Sequence, residues 1–410
     1  MTETGRPAGD PVPGTTARQV AASVVKCVAW DIDDTLLAGT FIESGERQPP
    51  ADPQMAAALA ELGRRGIVHA IASKNPPAAA VYAAQVTGGQ FVAAECGWGR
   101  KSAAIERIAA ELGIGADAIA FVDDDPYERA EVSFALPEVL VLSPEDVTDA
   151  LGWPEFSPAV VTDEARRRSE LYLDARRRRS AEREFGGPRD DFLRYCQTEV
   201  SIAPAGQADA ARLHELSVRT HQFNSAGQST TEAAFRVMIG RPSKETAGSP
   251  ARQLVTVRLR DRFGDDGIVG GCVTEQGEDG RAAVRLLMMS CRAMGRGVID
   301  ALLAWLIRSA AAGGARTLEV PSVLNARNVP LRLALAAAGF RASDAQPEAG
   351  TSGPGPAVRA AAGDAAEAGE KKAIPAADGQ LVVYRRSLAG PLPELPGWLA
   401  GPPEVRPDPR

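Results

Sequence analysis

Histidine is almost absent from this chain: His69, His214 and His221 are the three among 410 residues. That shortage excludes a poly-histidine zinc centre, so any metal here is a hard ion held by carboxylates. Cysteine is scarce as well. Cys27, Cys96, Cys196, Cys272 and Cys291, odd in number and scattered, make no disulfide framework and fit a reducing cytoplasm. No apolar run approaches the ~20 residues of a membrane span, and the best, 301–307, stops at Arg308. The opening MTETGRPAGDPVPGTTAR lacks the apolar core of a signal peptide. Positive charge is also in short supply: the net charge is −7, and the few aromatics (5%) are not interleaved with basic residues, which excludes nucleic-acid binding. Gly 40 and Pro 30 are too few to leave the whole chain disordered. What is present, 44% hydrophobic and 24% charged residues, is the balance of a globular protein, and the length predicts two domains at roughly 100–200 residues each.

Charge divides the chain. Residues 1–150 hold 11 Lys/Arg against 22 Asp/Glu, a net −11, and residues 151–410 hold 35 against 31, a net +4. An acidic half accommodates carboxylates clustered around a cation. Residues 1–22, rich in Thr, Gly and Pro, read as a disordered tail. Apolar runs at 24–30, 67–72, 119–122 and 139–142 then read as buried parallel strands. Helical stretches at 53–65, after 74–77, and at 102–112 (capped by Ser102) alternate with them. The alternation predicts an α/β, doubly wound parallel-sheet domain over 23–150, a design that binds ligands at the carboxyl ends of its strands. Residues 151–196 read as a charged helical connector. From 197 to 388 the pattern changes to strands at 200–203, 253–259, 268–274, 283–290, 317–320 and 381–384, with helices at 208–220, 298–312 and 330–338, an α+β domain. Within it, 341–378 reads as a disordered insertion, and 389–410 follows as a Pro-rich tail.

The first strand ends in Asp31-Ile32-Asp33-Asp34-Thr35. Two carboxylates spaced by two at a strand-to-loop transition can face one crevice, Asp31 as a nucleophile toward phosphorus and Asp33 as acid and base, with a metal ion neutralising phosphoryl charge. Ser73 ends the second strand, Lys101 stands ahead of a helix, and Asp123-Asp124-Asp125 ends the third strand. In chain order, each at a strand's end, these residues resemble the haloacid-dehalogenase-type (HAD-like) phosphohydrolases over about residues 24–145. The resemblance implies Mg2+ among Asp31, Asp33, Asp123 and Asp124, with Thr35, Lys74 and Asn75 beside the phosphate. Val122 stands where that family usually has Gly. The short segment between Thr35 and the helix at Pro53 leaves no room for a large cap, so the site is expected to be open.

In the second half, Arg292-Ala293-Met294-Gly295-Arg296-Gly297 follows a strand and opens a helix, an arrangement that lets backbone N–H groups approach a pyrophosphate. It resembles the loop of GNAT-like acyltransferases. Cys291 immediately precedes it. A thiol at a helix N-terminus beside Arg292 and Arg296 is expected to be acidic and nucleophilic, with His221 as a base toward it. Cys27 and Cys272, inside apolar runs, read as small buried hydrophobes.

Several stretches together (25–31, 70–75, 98–102, 121–129, 219–224, 261–264 and 289–292) resemble the FkbH-like family, a phosphatase-type domain fused to a GNAT-like domain. The resemblance spans about residues 24–340. It implies transfer of the glyceryl group of 1,3-bisphosphoglycerate to the phosphopantetheine thiol of an acyl carrier protein, with removal of phosphate, to supply a three-carbon unit for polyketide assembly. It also implies Asn224 at the acyl site and gives the arginines at 176–179 a docking role toward an acidic carrier. His221 stands where the family usually has Asn or another polar residue, and Asp34 where it usually has Asn or Gly. Two other readings are consistent with the sequence: a phosphatase fused to a CoA-dependent N-acyltransferase, for which Cys291 is dispensable, and a non-catalytic module that docks a carrier protein.

Overall fold

The computed structural model describes residues 24–43, 48–158, 160–220, 222–240, 251–277, 279–324, 328–343 and 380–399. The tail at 1–22, His221, and most of the insertion at 341–378 lie outside them. Arg341–Ser343, the first three residues of that insertion, pair as a strand instead.

The first domain alternates strictly. Strands β1 (Cys27–Trp30), β2 (Val68–Ser73), β3 (Phe91–Cys96), β4 (Ile119–Val122) and β5 (Leu140–Leu142) are separated by helices α1 (Pro53–Arg64), α2 (Pro77–Thr87), α3 (Lys101–Leu112) and α4 (Pro126–Ala135). All pairings are parallel and the order is β3-β2-β1-β4-β5. β1 is central and wholly buried, because CVAW is apolar on both faces. Val28 and Trp30 pack under α1 and α2, Cys27 and Ala29 under α3, the two-residue period of a strand. The sequence reading missed β3: Phe-Val-Ala-Ala-Glu-Cys is a partly exposed edge strand, short and alanine-rich, without a β-branched run to mark it. Ser102 does not cap α3 either. Arg100 takes the cap position, and the Ser102 hydroxyl donates to Glu131 (2.6 Å).

Short helices α5 (Val147–Ala150) and α6 (Asp163–Arg166) lead into α7 (Arg168–Phe185) and α8 (Arg189–Tyr195), the connector. It staples the domains together. Arg168 donates to the Gly66 carbonyl of the first domain and to Glu215 of the second. Arg178, expected on a docking surface, is buried instead: its Nε and Nη2 donate to Asp261 at 2.5 and 3.1 Å.

The second domain follows the order β6 (Glu199–Pro204), α9 (Ala210–Arg219), α10 (Glu232–Gly240), β7 (Ala251–Asp261), β8 (Gly264–Gln276), β9 (Arg281–Met289), α11 (Val298–Ala312), β10 (Thr317–Val323), α12 (Val329–Ala337), β11 (Arg341–Ser343) and β12 (Leu381–Ser387). Its sheet runs β11-β12-β10-β9-β8-β7-β6, antiparallel except at β9–β10. The chain is therefore an α/β, doubly wound parallel-sheet domain followed by an α+β domain, the class expected from the sequence. No helix among the described residues is long and apolar enough to cross a membrane.

Candidate active sites

The carboxyl ends of β1, β2 and β4 meet at one point. Lys101, at the start of α3, is buried there, and its Nζ donates to Asp31, to Asp123 Oδ2 (2.8 Å) and to the Ala72 carbonyl (2.8 Å). All three ammonium protons are thereby used. Burial works against that charge, yet the two carboxylates hold Lys101 above its usual range. Burial raises Asp31 despite Lys101 beside it, and lifts Asp123 to about 6. Asp124 is raised by burial and by the charge of Asp31.

Ligand oxygens of Asp31, Asp123 and Asp124 lie within 4.8 Å of one another. Three crowded carboxylates face a single ammonium, and all three resist ionisation. Hard oxygen donors with a deficit of positive charge fit a small divalent cation. Asp33, expected as a fourth ligand, lies outside that cluster. Its carboxylate accepts from the Phe41 N–H (2.8 Å) and from Asn75 Nδ2 (3.0 Å). Asn75 Nδ2 also donates to Ser73 Oγ (3.1 Å), so Asn75 links Ser73 to Asp33 and holds the second carboxylate in place. Thr35 Oγ1 accepts from the Asp124 N–H (3.2 Å). Lys74 is taken up by an ion pair with Glu128. Arg129, not singled out from the sequence, clamps the acidic loop by donating to the carbonyls of Asp123 and Asp124 (2.7 and 2.6 Å). The segment from Leu37 to Ala51 closes on itself through a bridge between those two residues.

Cys291 lies on the other side of the domain junction. It opens a short 3-10 turn, Cys291–Ala293, and α11 starts only at Val298. The thiol is therefore not at the N-terminus of α11, as expected. Gly295 and Gly297, at φ +74° and +70°, break the helix between them. Within the anticipated pyrophosphate loop, Trp398 packs against Gly297, where a Cβ would lie 2.2 Å from its Cζ2, while Gly295 is open. Arg296 is buried in ion pairs with Asp261 (2.6 Å) and Asp266 and does not face a ligand. Asn224 is likewise committed to backbone. It donates to the Gln228 carbonyl (3.2 Å) and accepts from the Ala226 N–H (3.0 Å). Its segment fills the gap where β9 and β10 part, since Met289 N–H donates to Phe223 O, Ser225 N–H to Leu287 O and Val323 N–H to Ser225 O, at 2.9, 2.9 and 3.0 Å.

Cys291 and Arg292 instead line a small cleft of about 40 Å3 with Lys26 and Ile114 of the first domain, Arg168 and Tyr172 of the connector, and Arg212, Glu215 and Arg219 of α9. Residues 26, 168, 219 and 291 are too far apart in the chain for motif reading to unite them.

No protein-family model and no curated protein matches this sequence. Solved structures similar to parts of it include the N-terminal part, containing a phosphatase domain, of a Bacteroides fragilis protein complexed with Mg. That likeness has 25% identity and a TM-score of 0.29, covering 32% of this chain and 41% of that one. A Salmonella typhimurium acetyltransferase that modifies the N-terminal serine of ribosomal protein L7/L12 is 12% identical, covering 46% of this chain and 95% of that one, with a TM-score of 0.32. The ribosomal-protein-S18-alanine N-acetyltransferase of Escherichia coli is 14% identical, covering 45% and 90%, with a TM-score of 0.29.

Proposed function

We propose that the chain is a two-centre enzyme. It moves the glyceryl group of 1,3-bisphosphoglycerate to the phosphopantetheine thiol of an acyl carrier protein and hydrolyses the remaining phosphate monoester with Mg2+. The observation that carries this reading is the placement of the Cys291 thiol in a cationic cleft, on a chain whose other centre is the Asp31–Lys101–Asp123 cluster.

An acyl phosphate is already activated. The Cys291 sulfur attacks its carbonyl carbon, a C–S bond forms, the C–O bond to phosphate breaks, and inorganic phosphate leaves. The carrier's thiol then attacks the thioester, its sulfur takes the acyl group, and Cys291 regains a proton. At the other centre, Asp31 attacks phosphorus while Asp33, oriented by the Phe41 N–H and Asn75, protonates the leaving oxygen. Asp33 then takes a proton from the water that releases phosphate from Asp31. Mg2+ at Asp31, Asp123 and Asp124 supplies charge neutralisation for the phosphoryl oxygens. Lys101 holds Asp31 in place and adds a positive charge beside it. CoA-dependent N-acyl transfer, the competing reading, would use the 292–297 loop, where Trp398 lies against Gly297 while Gly295 is open.

Intact-protein mass spectrometry tests the reading. Mixing the chain with 1,3-bisphosphoglycerate, Mg2+ and a phosphopantetheinylated carrier protein should add a glyceryl increment to the carrier. No increment, with acetyl-CoA consumed instead, would replace it with N-acyl transfer.

A further inference from the structure

Buried cations ordinarily find carboxylates. Around Cys291 the buried Arg168 and Arg212 share one, while the half-buried Lys26, Arg219 and Arg292 have none among the described residues. Lys26, Arg168, Arg212, Arg219 and Arg292 line the cleft against one carboxylate among its described lining residues, Glu215. Glu215 is already shared, paired with Arg168 and with Arg212 (2.7 Å) and accepting from Thr162. The remaining three have no such partner. Lys26 Nζ donates to the Arg219 carbonyl (2.8 Å), and neither Arg219 nor Arg292 forms an ion pair among the described residues. One guanidinium nitrogen of Arg292, Nη1, is buried with no hydrogen-bond partner. Burial first, then the neighbouring charge of Arg219, lowers Lys26 to about 8 and Arg168 to about 9. Burial lowers Arg219 too. Such a set of repelling cations is costly unless an anion completes it.

We infer that this cleft is a phosphate subsite, in which Lys26 of the first domain and Arg219 and Arg292 of the second hold the phosphate-monoester end of a short acyl substrate beside the Cys291 thiol. The inference rests on the reading of Cys291 as the acyl acceptor. A dianion offsets two of the four excess charges where a lone carboxylate would offset one, and guanidinium forks suit phosphate oxygens. The cleft, about 40 Å3, has room for the phosphate group itself, with the rest of the substrate lying toward its mouth. Because Lys26 belongs to the first domain, the subsite is complete only while the two domains are docked.

The test is the rate at which iodoacetamide alkylates Cys291 in the full chain without divalent cation, read by peptide mass mapping with Cys96 as internal reference. Inorganic phosphate and 3-phosphoglycerate should slow it, glycerate should not, and Arg219→Gln should weaken the protection roughly tenfold or more. Equal protection by glycerate, or protection that survives Arg219→Gln, would overturn the subsite. Misfolding is checked by thermal unfolding: loss of a repelling cation should leave the midpoint at or above that of wild type, and Arg292→Gln gives a second reading if it does not. The two proposals fail separately. Phosphate protection without carrier loading removes the transfer reading and keeps the subsite. Loading as fast from acetyl phosphate as from 1,3-bisphosphoglycerate removes the subsite and keeps the transfer.

Discussion

Lys26 and Asp31 stand at opposite ends of one strand: Lys26 precedes β1 and faces the Cys291 cleft, and Asp31 follows β1 into the acidic cluster. The four residues of β1 lie between them, so the two are roughly 16 Å apart along extended chain, with the body of the sheet between the two centres. An acyl group on Cys291 therefore cannot reach Asp31 without leaving the cysteine. On the proposed reading, the first centre acts on the group only before it joins Cys291 or after it has left. Asp31→Asn should still load the carrier but leave the product one phosphate heavier, with dephosphorylation slowed on the order of 10³-fold or more. Mass spectrometry of the carrier reads this directly. A phosphate-free product from Asp31→Asn would mean that phosphate is removed elsewhere.

Three carboxylates against one lysine make the first centre electrostatically strained without a metal. Mg2+ should raise the stability of the wild-type chain, by about 2.7 kcal/mol at a concentration 100-fold above its dissociation constant. Asp123→Asn removes one ligand and one buried negative charge together. It should abolish the Mg2+-dependent gain without lowering the metal-free midpoint. Thermal unfolding with and without Mg2+ measures both, and an undiminished Mg2+ response in Asp123→Asn would remove that residue from the metal site.

Asp34 adopts φ +47°, a left-handed conformation that Gly takes freely and that Asn and Asp tolerate better than other side chains. That geometry accounts for the Asn or Gly usual at this position in the proteins this sequence resembles. Asp34 is exposed, and its charge adds to the pressure on Asp124. Asp34→Asn should stabilise the chain by up to about 0.5 kcal/mol, chiefly through one less negative charge beside the cluster. Urea denaturation at pH 7 checks it. A destabilised variant would mean that the carboxylate has a partner that matters, such as a bound cation.

The first centre could be read from the chain because a parallel sheet turns sequence order into spatial order. Asp31, Ser73 and Asp123 each end a strand, and the strands lie side by side. The second centre could not. Arg296 and Asn224 sit in suggestive motifs, yet one is spent on Asp261 and Asp266 and the other on backbone groups. Trp398 covers Gly297 from about a hundred residues away, and Arg219 meets Lys26 only because the connector docks the domains. Motif reading works where backbone topology alone places the residues. It fails where long-range side-chain packing does.

His69 supplies a pH dependence separate from either centre. It is buried in β2, its Nδ1 accepts from Trp30 Nε1 (3.2 Å), and its Nε2 donates to the Leu59 carbonyl (3.0 Å). A proton on Nδ1 would point at the Trp30 N–H, so the ring is held neutral, and burial lowers its pKa to about 4. The unfolded chain takes up that proton near 6.5 and the folded chain does not until about 4. Stability from His69 is therefore fully present above pH 6.5 and is lost as pH falls toward 4, about 3 kcal/mol in all. Asp123, raised by burial to about 6, acts in the opposite sense between its ordinary 3.8 and that value, since its folded form binds the proton more readily. Comparison with His69→Gln cancels that contribution. The variant keeps an acceptor for Trp30 and a donor for Leu59 but cannot titrate. Its stability relative to wild type should improve steadily from pH 7 to pH 4 in urea denaturation series. Parallel curves over that range would show that His69 titrates alike in the folded and unfolded chains.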